Sequence, residues 1–332
     1  MNRIAIHLLA AAIALGCMSC GHRTGTEGAL TDGERLEALD FRLEKHPDDH
    51  EALNERAAVL LNLGRVSEAI VDIDKAVYLE PQRLDYRMRQ ADVYFATGNV
   101  DKSYRALSEA EKLAPDDKEV QLKMGEVMFY SRDYDRALVC LSKVTEQEPD
   151  NRAALFMKGF IYKEMGDTAS AVTLLNKVCD LYPDYEPAFE ELGILYSTRN
   201  SPMAVEYLNT ALRLEPSNTN AIYALAMYYQ QNKMYDEAES LYRRLLDVNA
   251  NSTDAWHNLG YIELMYRNDY ERAIEHFTRA IEADGTSIEA LTNRGCAYEL
   301  NNQRHLAKAD YEAALAIDPG FGPAQEGMKR LQ

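Results

Sequence analysis

Residues 253–286 read TDAWHNLGYIELMYRNDYERAIEHFTRAIEADGT, and the placing of two small side chains in this stretch decides the fold. Trp256, Leu259 and Gly260 stand at i, i+3 and i+4, which puts them on one face of a helix. Ala273 and Phe277 stand one turn apart on a second amphipathic run. A small residue on each run lets the two helices cross closely, and the ring of Phe277 fills the volume beside the crossing.

The same arrangement recurs along the chain. The small site of the first helix is Ala57, Ala91, Gly125, Gly159, Gly193, Ala226, Gly260 and Gly295 in turn. That of the second is Ala69, Ser103, Ala137, Ala171, Ala204, Ala238, Ala273 and Ala307, with a large residue four places on, from Ile73 and Leu107 to Phe277 and Tyr311. A stripe such as Phe189, Leu192, Gly193 and Tyr196 gives each first helix one core face. Pro47, Pro81, Pro115, Pro149 and Pro183 are spaced by 34, and Pro216 follows after 33. The pattern then runs through Ala250 and Gly285 to Pro319 in steps of 34, 35 and 34. A fixed period of this size marks a repeat architecture. Each proline ends a second helix, because it lacks an amide hydrogen and restricts the residue before it. Asp or Asn after it, as in Pro149-Asp150-Asn151, caps the next helix. The short step contains Ser201-Pro202, a cap followed by proline at the first helical position.

The pattern resembles the tetratricopeptide repeat family. Trp256, Leu259, Gly260, Ala273 and Phe277 match that family's signature sites, and Tyr94, Tyr162, Tyr196 and Tyr298 match its tyrosine site. The resemblance covers 48–319 as eight repeats. Residues 32–46, with Leu36, Leu39 and Leu43, align with a second helix lacking its partner, and a capping helix falls within 320–332. The resemblance implies an all-α, right-handed superhelical solenoid whose first helices line a concave wall where protein or peptide segments lie. Some members clamp C-terminal carboxylates with Lys, Asn and Arg on that wall; here the corresponding sites carry Asn54, Ala58, Met88 and Asp92, which disfavours recognition of that kind. Two residues depart from the pattern. Glu263 takes the tyrosine site of repeat seven and Arg294 an apolar site of repeat eight. They are expected to form an ion pair within the stack, or else each to reach solvent along its stem.

A second stripe on the first helices is expected to face the groove: Phe95, Phe129, Tyr130, Phe156, Phe160, Tyr223, Met227, His257 and Tyr261. Aromatics give large contact area at little entropic cost, so the stripe reads as a partner-binding surface. The alternative is that these rings pack against the adjacent first helix.

Lys and Arg number 36 against 54 Asp and Glu, a formal net charge of −18. Such a surface repels phosphate backbones, and nucleic acid is not an expected partner. There is no HExxH, GxSxG, Walker or GxGxxG motif. His46-Pro47-Asp48-Asp49-His50 reads as an interrepeat turn and not as a metal cluster, His276 is expected at the surface, and Cys296 falls on the inner wall with no histidine positioned to activate it. The sequence therefore predicts a non-enzymatic scaffold with no catalytic residue, metal or cofactor. The alternative is a nutrient or glycan binder that stacks sugars on the aromatic wall.

The first twenty residues read as an address. Arg3 precedes Ile4–Leu15, which is apolar apart from His7 and too short to span a bilayer. Gly16-Cys17-Met18-Ser19-Cys20-Gly21 resembles the lipobox of bacterial lipoproteins, with Cys20 favoured and Cys17 the alternative. The resemblance implies that residues 1–19 are a signal peptide and that the following cysteine is acylated, holding the chain to a lipid bilayer of the cell envelope, with the outer membrane favoured. An ordinary cleaved signal or a hydrophobic N-terminal anchor is the other reading. Residues 20–31, rich in Gly and polar groups, read as a flexible tether.

Overall fold

The computed structural model describes residues 30–332. The segment expected to be a signal peptide, Cys17, Cys20 and most of the expected tether lie outside the described residues.

Among the described residues there are eighteen α-helices and no strand. The chain divides into two compact units, 1–182 and 183–332. In the first unit, α1 (Asp32–Lys45) precedes four helix pairs: α2 (His50–Asn62) with α3 (Val66–Leu79), α4 (Leu84–Ala96) with α5 (Val100–Leu113), α6 (Lys118–Tyr130) with α7 (Tyr134–Gln147), and α8 (Arg152–Glu164) with α9 (Thr168–Leu181). In the second, four pairs precede a closing helix: α10 (Glu186–Thr198) with α11 (Met203–Leu214), α12 (Thr219–Gln231) with α13 (Tyr235–Val248), α14 (Thr253–Ile262) with α15 (Tyr270–Ala283), and α16 (Ile288–Leu300) with α17 (Arg304–Ile317), then α18 (Gly322–Arg330). This is an all-helical repeat fold of tetratricopeptide type. Within each unit consecutive first helices also touch, α2 with α4, α6 with α8 and α10 with α12.

Local chemistry sets the boundaries. Six of the eight first helices start on a short polar side-chain cap, α4 and α10 being the exceptions; Asn151 Oδ1 accepts from the amide of Ala154 at 3.0 Å, and Asn218 Oδ1 from that of Ala221 at 2.9 Å. Each pair turns through one residue of positive φ: Gly64, Gly98, Arg132, Gly166, Asn200, Lys233, Asn268 and Asn302. Glycine and asparagine tolerate that left-handed conformation; Arg132 and Lys233 adopt it against their intrinsic preference.

The small residues meet where the helices cross. Ser103 Oγ donates to the carbonyl of Ala91 at 2.9 Å, joining the two small sites of repeat two. A Cβ on Gly125 would lie 2.8 Å from Leu141 and 3.5 Å from the Ala137 carbonyl, and one on Gly260 would lie 2.8 Å from the Phe277 ring. The large residue four places after the second small site therefore occupies the space that each glycine leaves open.

The two irregular steps have structural causes. In the short step the α11 helix begins at Met203; Pro202 is its N-cap, one place earlier than the first helical turn, and Ser201 Oγ accepts from the Met203 amide at 3.4 Å. The long step is a π turn at Glu263–Arg267 that absorbs one extra residue and ends on Asn268 at φ 56°.

The expected Glu263–Arg294 pair does not form. Glu263 is 1% exposed and pairs with Arg267 at 3.1 Å and Arg272 at 3.2 Å, both arginines standing within nine residues of it in sequence. Arg294 Nε and Nη2 instead reach Asp310 at 2.8 Å each, sixteen positions on along its own helix pair, and Nη1 donates to Thr278 Oγ1 at 3.1 Å, sixteen positions back. Arg56 makes the same two reaches, to Asp72 and to Asp40, each at 2.7 Å. A helix-pair spacing, and not the neighbouring repeat's first helix, sets the partner.

His276 is buried, not at the surface. It stacks on Trp256 with ring centroids 5.6 Å apart, and neither ring nitrogen has a hydrogen-bond partner among the described residues. Burial and the nearby Arg243 and Arg272 hold its pKa below the ordinary 6.5. The folded ring resists a proton that the unfolded ring accepts. That contribution to stability is complete above pH 6.5 and is lost as the pH falls toward the lowered value. His276→Phe keeps the ring stack and removes two unpartnered nitrogens, and should stabilise the chain by about 1 kcal/mol at pH 7. Urea unfolding should also show a smaller loss of stability between pH 7 and 5 than in the parent. An unchanged acid slope would show that the ring carries no part of it.

Candidate functional site

The first helices supply the candidate surface, since they sit side by side within each unit while the second helices flank them. The predicted stripe divides by unit. In unit 1–182, Phe129, Phe156 and Phe160 are buried, at 6%, 1% and 6% exposure. Phe129 meets Phe160 edge-on at 5.6 Å across neighbouring first helices, and Phe95 meets Tyr130 edge-on at 4.8 Å. The expectation that these rings stand open to a groove is corrected for Phe129, Phe156 and Phe160: they are interhelix core. The physical reason is their length. A phenyl ring at this position spans the gap to the next first helix and is desolvated there.

Polar groups share this wall. Lys123 pairs with Asp92 at 2.5 Å, and burial pushes the neighbouring Glu126 carboxyl up to about 7. Asn54 Oδ1 accepts from Arg89 Nε at 3.1 Å, so Asn54 and Asp92, two of the positions compared with a carboxylate clamp, are each engaged by a base of the next first helix. His50 Nδ1 lies 2.7 Å from Tyr86 Oη, a structural contact that accounts for this histidine of the turn.

In unit 183–332, Tyr223, Met227, His257 and Tyr261 are all half-buried, in two i, i+4 pairs on α12 and α14. Asn258 Nδ2 lies 3.5 Å from Tyr223 Oη, and His257 Nε2 is 2.9 Å from Asn293 Nδ2, so polar groups link the first helices of repeats six, seven and eight. Burial lowers the His257 pKa, opposed by Glu289 and Asp254, and raises that of Tyr223, with Asp254 adding to the rise. Cys296 is half-buried, and burial holds its thiol protonated beyond the ordinary range, the opposite of an activated nucleophile.

Three residues of this wall were not singled out from sequence. Asn218 Nδ2 donates to Glu186 Oε1 at 2.7 Å and to Glu190 Oε2 at 2.9 Å, drawing two carboxylates one helical turn apart onto one amide. Burial first, then Glu190, pushes the Glu186 carboxyl up to about 7. Their sequence signal is the EPAFEE run at 186–191, where acids sit on a first helix that holds no Lys or Arg.

Comparison with known proteins agrees with the geometry. Five family models, each described as tetratricopeptide repeat, match residues 36–83, 119–151 with 153–185, 203–260, 255–289 and 288–321. The chain belongs to the tetratricopeptide repeat family. It is 28% identical over 121 residues to anaphase-promoting complex subunit 3 of Schizosaccharomyces pombe (36% of this chain, 18% of that one). It is 26% identical over 103 residues to the Homo sapiens protein O-mannosyl-transferase TMTC3, covering 31% of this chain and 11% of that one. The chain thus spans less than a fifth of the length of these relatives. Among solved structures, the C-terminal part of a repeat-containing protein from Cytophaga hutchinsonii aligns with a TM-score of 0.60 at 18% identity, over 73% of this chain and 99% of that one. A tetratricopeptide repeat protein from Parabacteroides merdae aligns with a TM-score of 0.54 at 16% identity, over 75% of this chain and 98% of that one.

Proposed function

We propose that this chain is a non-enzymatic scaffold that binds segments of partner proteins on its first-helix face, held at a bacterial membrane by an acylated N-terminal cysteine. The observation that carries the reading is the wall of unit 183–332. Tyr223, Met227, His257 and Tyr261 are half-buried there, with ordered amides between them. A surface of rigid rings with fixed polar groups gives contact area at low entropic cost. The sugar-stacking alternative is weaker, because Phe129, Phe156 and Phe160 bury their rings against the protein and leave no open face. The lipobox-like Ser19-Cys20-Gly21 supports the anchor, and a multiply acylated cysteine gives stable membrane attachment.

One in-cell experiment tests both parts. A photo-crosslinking residue at Tyr223 or Tyr261 should yield protein adducts, and one at Val248, 45% exposed on the second helix α13, should not. The adducts should sediment with membranes, and Cys20→Ser should release them to the soluble fraction while Cys17→Ser does not. Absence of adducts from both wall positions would sink the scaffold reading. Retention of both cysteine variants at the membrane would sink the anchor.

A further inference from the structure

We infer that the first-helix face of unit 183–332 receives a cationic segment of its partner, an extended stretch bearing Lys or Arg, with Glu186 and Glu190 taking one cationic side chain beside the aromatic positions of the wall. This rests on the scaffold reading and specifies the partner's chemistry.

The argument is one of charge complementarity. The four first helices of this unit carry Glu186, Glu190, Glu191, Asp254, Glu289 and Glu299, and a single base, Arg294; the π turn after α14 adds Glu263 and Arg267. Arg294 is already engaged by Asp310. Glu263 faces Arg267 and Arg272, and Glu299 faces Arg330. Asp254 and Glu289 act electrostatically on His257, and Asp254 on Tyr223, so these two acids lie about the aromatic groups of the wall.

Glu186 and Glu190 differ from the acids that have bases. Asp72 and Asp310, which are buried, and Glu239 and Glu299, which are half-buried, each meet a guanidinium at 2.9 Å or less. Glu186 and Glu190 share one neutral amide instead, and neither meets a Lys or Arg among the described residues. Two half-buried carboxylates brought together repel each other, and burial first, then this repulsion, raises the proton affinity of Glu186. A cation brought by a partner would relieve that repulsion. Glu190 stands one repeat before Tyr223, 33 positions away and at the same place in the repeat, and His257 follows one repeat later. A side chain with an apolar stem and a charged head suits this order, its stem along the rings and its head at the carboxylates.

The test uses the full chain and two labelled sixteen-residue peptides of alternating residues, one Lys-Ala and one Glu-Ala, followed by fluorescence anisotropy. The Lys-Ala peptide should bind, weaken with added salt and compete with the crosslinked partner; the Glu-Ala peptide should not bind. The double variant Glu186→Gln/Glu190→Gln should lose roughly tenfold or more in affinity. A control of equal charge change on the exposed side of α15, Glu271→Gln/Glu275→Gln, should lose less than about twofold, which separates the site from the chain's general acidity. Far-ultraviolet circular dichroism checks that both doubles fold. If the two doubles bind alike, or the Glu-Ala peptide binds equally well, the inference fails while crosslinks from Tyr223 and Tyr261 still support the scaffold. If those crosslinks are absent, the scaffold reading fails on its own evidence.

Discussion

Gly193→Val is expected to destabilise the chain by about 3 kcal/mol, the upper end of what overpacking costs. A Cβ at this position would lie 2.5 Å from Leu208 Cγ, 2.6 Å from its Cδ2 and 3.1 Å from its backbone nitrogen. Leu208 is fully buried. Its side chain has no solvent-side space to rotate into, and its backbone is fixed within α11. Relief therefore requires α10 and α11 to separate, which opens the contact along their whole length. Gly159→Ala is a graded control. Its nearest neighbours would all be side-chain atoms, Leu175 at 3.0 and 3.1 Å and Leu174 Cβ at 3.5 Å, so its cost should be smaller. Urea unfolding followed by circular dichroism gives both values. A Gly193→Val midpoint matching the parent would show that the pair accommodates a larger separation and that the small site is not a packing requirement.

Asp310→Ala is expected to cost about 3–5 kcal/mol, because it leaves a guanidinium in a desolvated place with its partner removed. Arg294 and Asp310 are 18% and 9% exposed at their side chains, and two parallel hydrogen bonds of 2.8 Å join them. The pair itself need not be a net stabiliser, since removing both charges from water is costly. Arg294→Met/Asp310→Leu should therefore recover most of the loss, a result that distinguishes an unpaired charge from lost packing volume. Asp72→Ala should cost less. Its partner Arg56 keeps Asp40 at 2.7 Å and is more exposed, at 24%. Calorimetric or chemical unfolding of the two single variants and the double would close the cycle. A double variant no more stable than Asp310→Ala would overturn this account.

The repeat was legible because close helix crossing requires small residues at a fixed period. Gly125, Gly260 and Gly295 show the consequence directly, each filled over by the large residue predicted to lie beside it. The residues that faced the wall were less legible. A ring at Phe129 or Phe156 has the same spacing whether it points to a partner or to the next helix, and only the interhelix distance decides between them. Arg294 had a readable signal that was not used: Asp310 stands sixteen positions on, as Asp72 does after Arg56. His276 looked superficial beside Phe277, yet it is buried with its ring stacked on Trp256. Glu186 and Glu190 could be found only by asking which first helices lack a base. The N-terminal cysteines lie outside the described residues, and their assignment rests on sequence alone.

Arg56 and Arg294 belong to the first and last of the eight helix pairs, and each bonds to the second helix before it and the second helix after it. In a linear stack the terminal members have a neighbour on one side only and are the first to fray. Here fraying must break a directional charged contact as well as bare apolar surface. Unzipping there is thereby resisted by a two-sided charged clamp that Leu192, Leu225 and Leu259 at the same position do not offer, while Gln90 and Lys158 there bond to the second helix before them, at Asp74 and at Ser142 and Thr145.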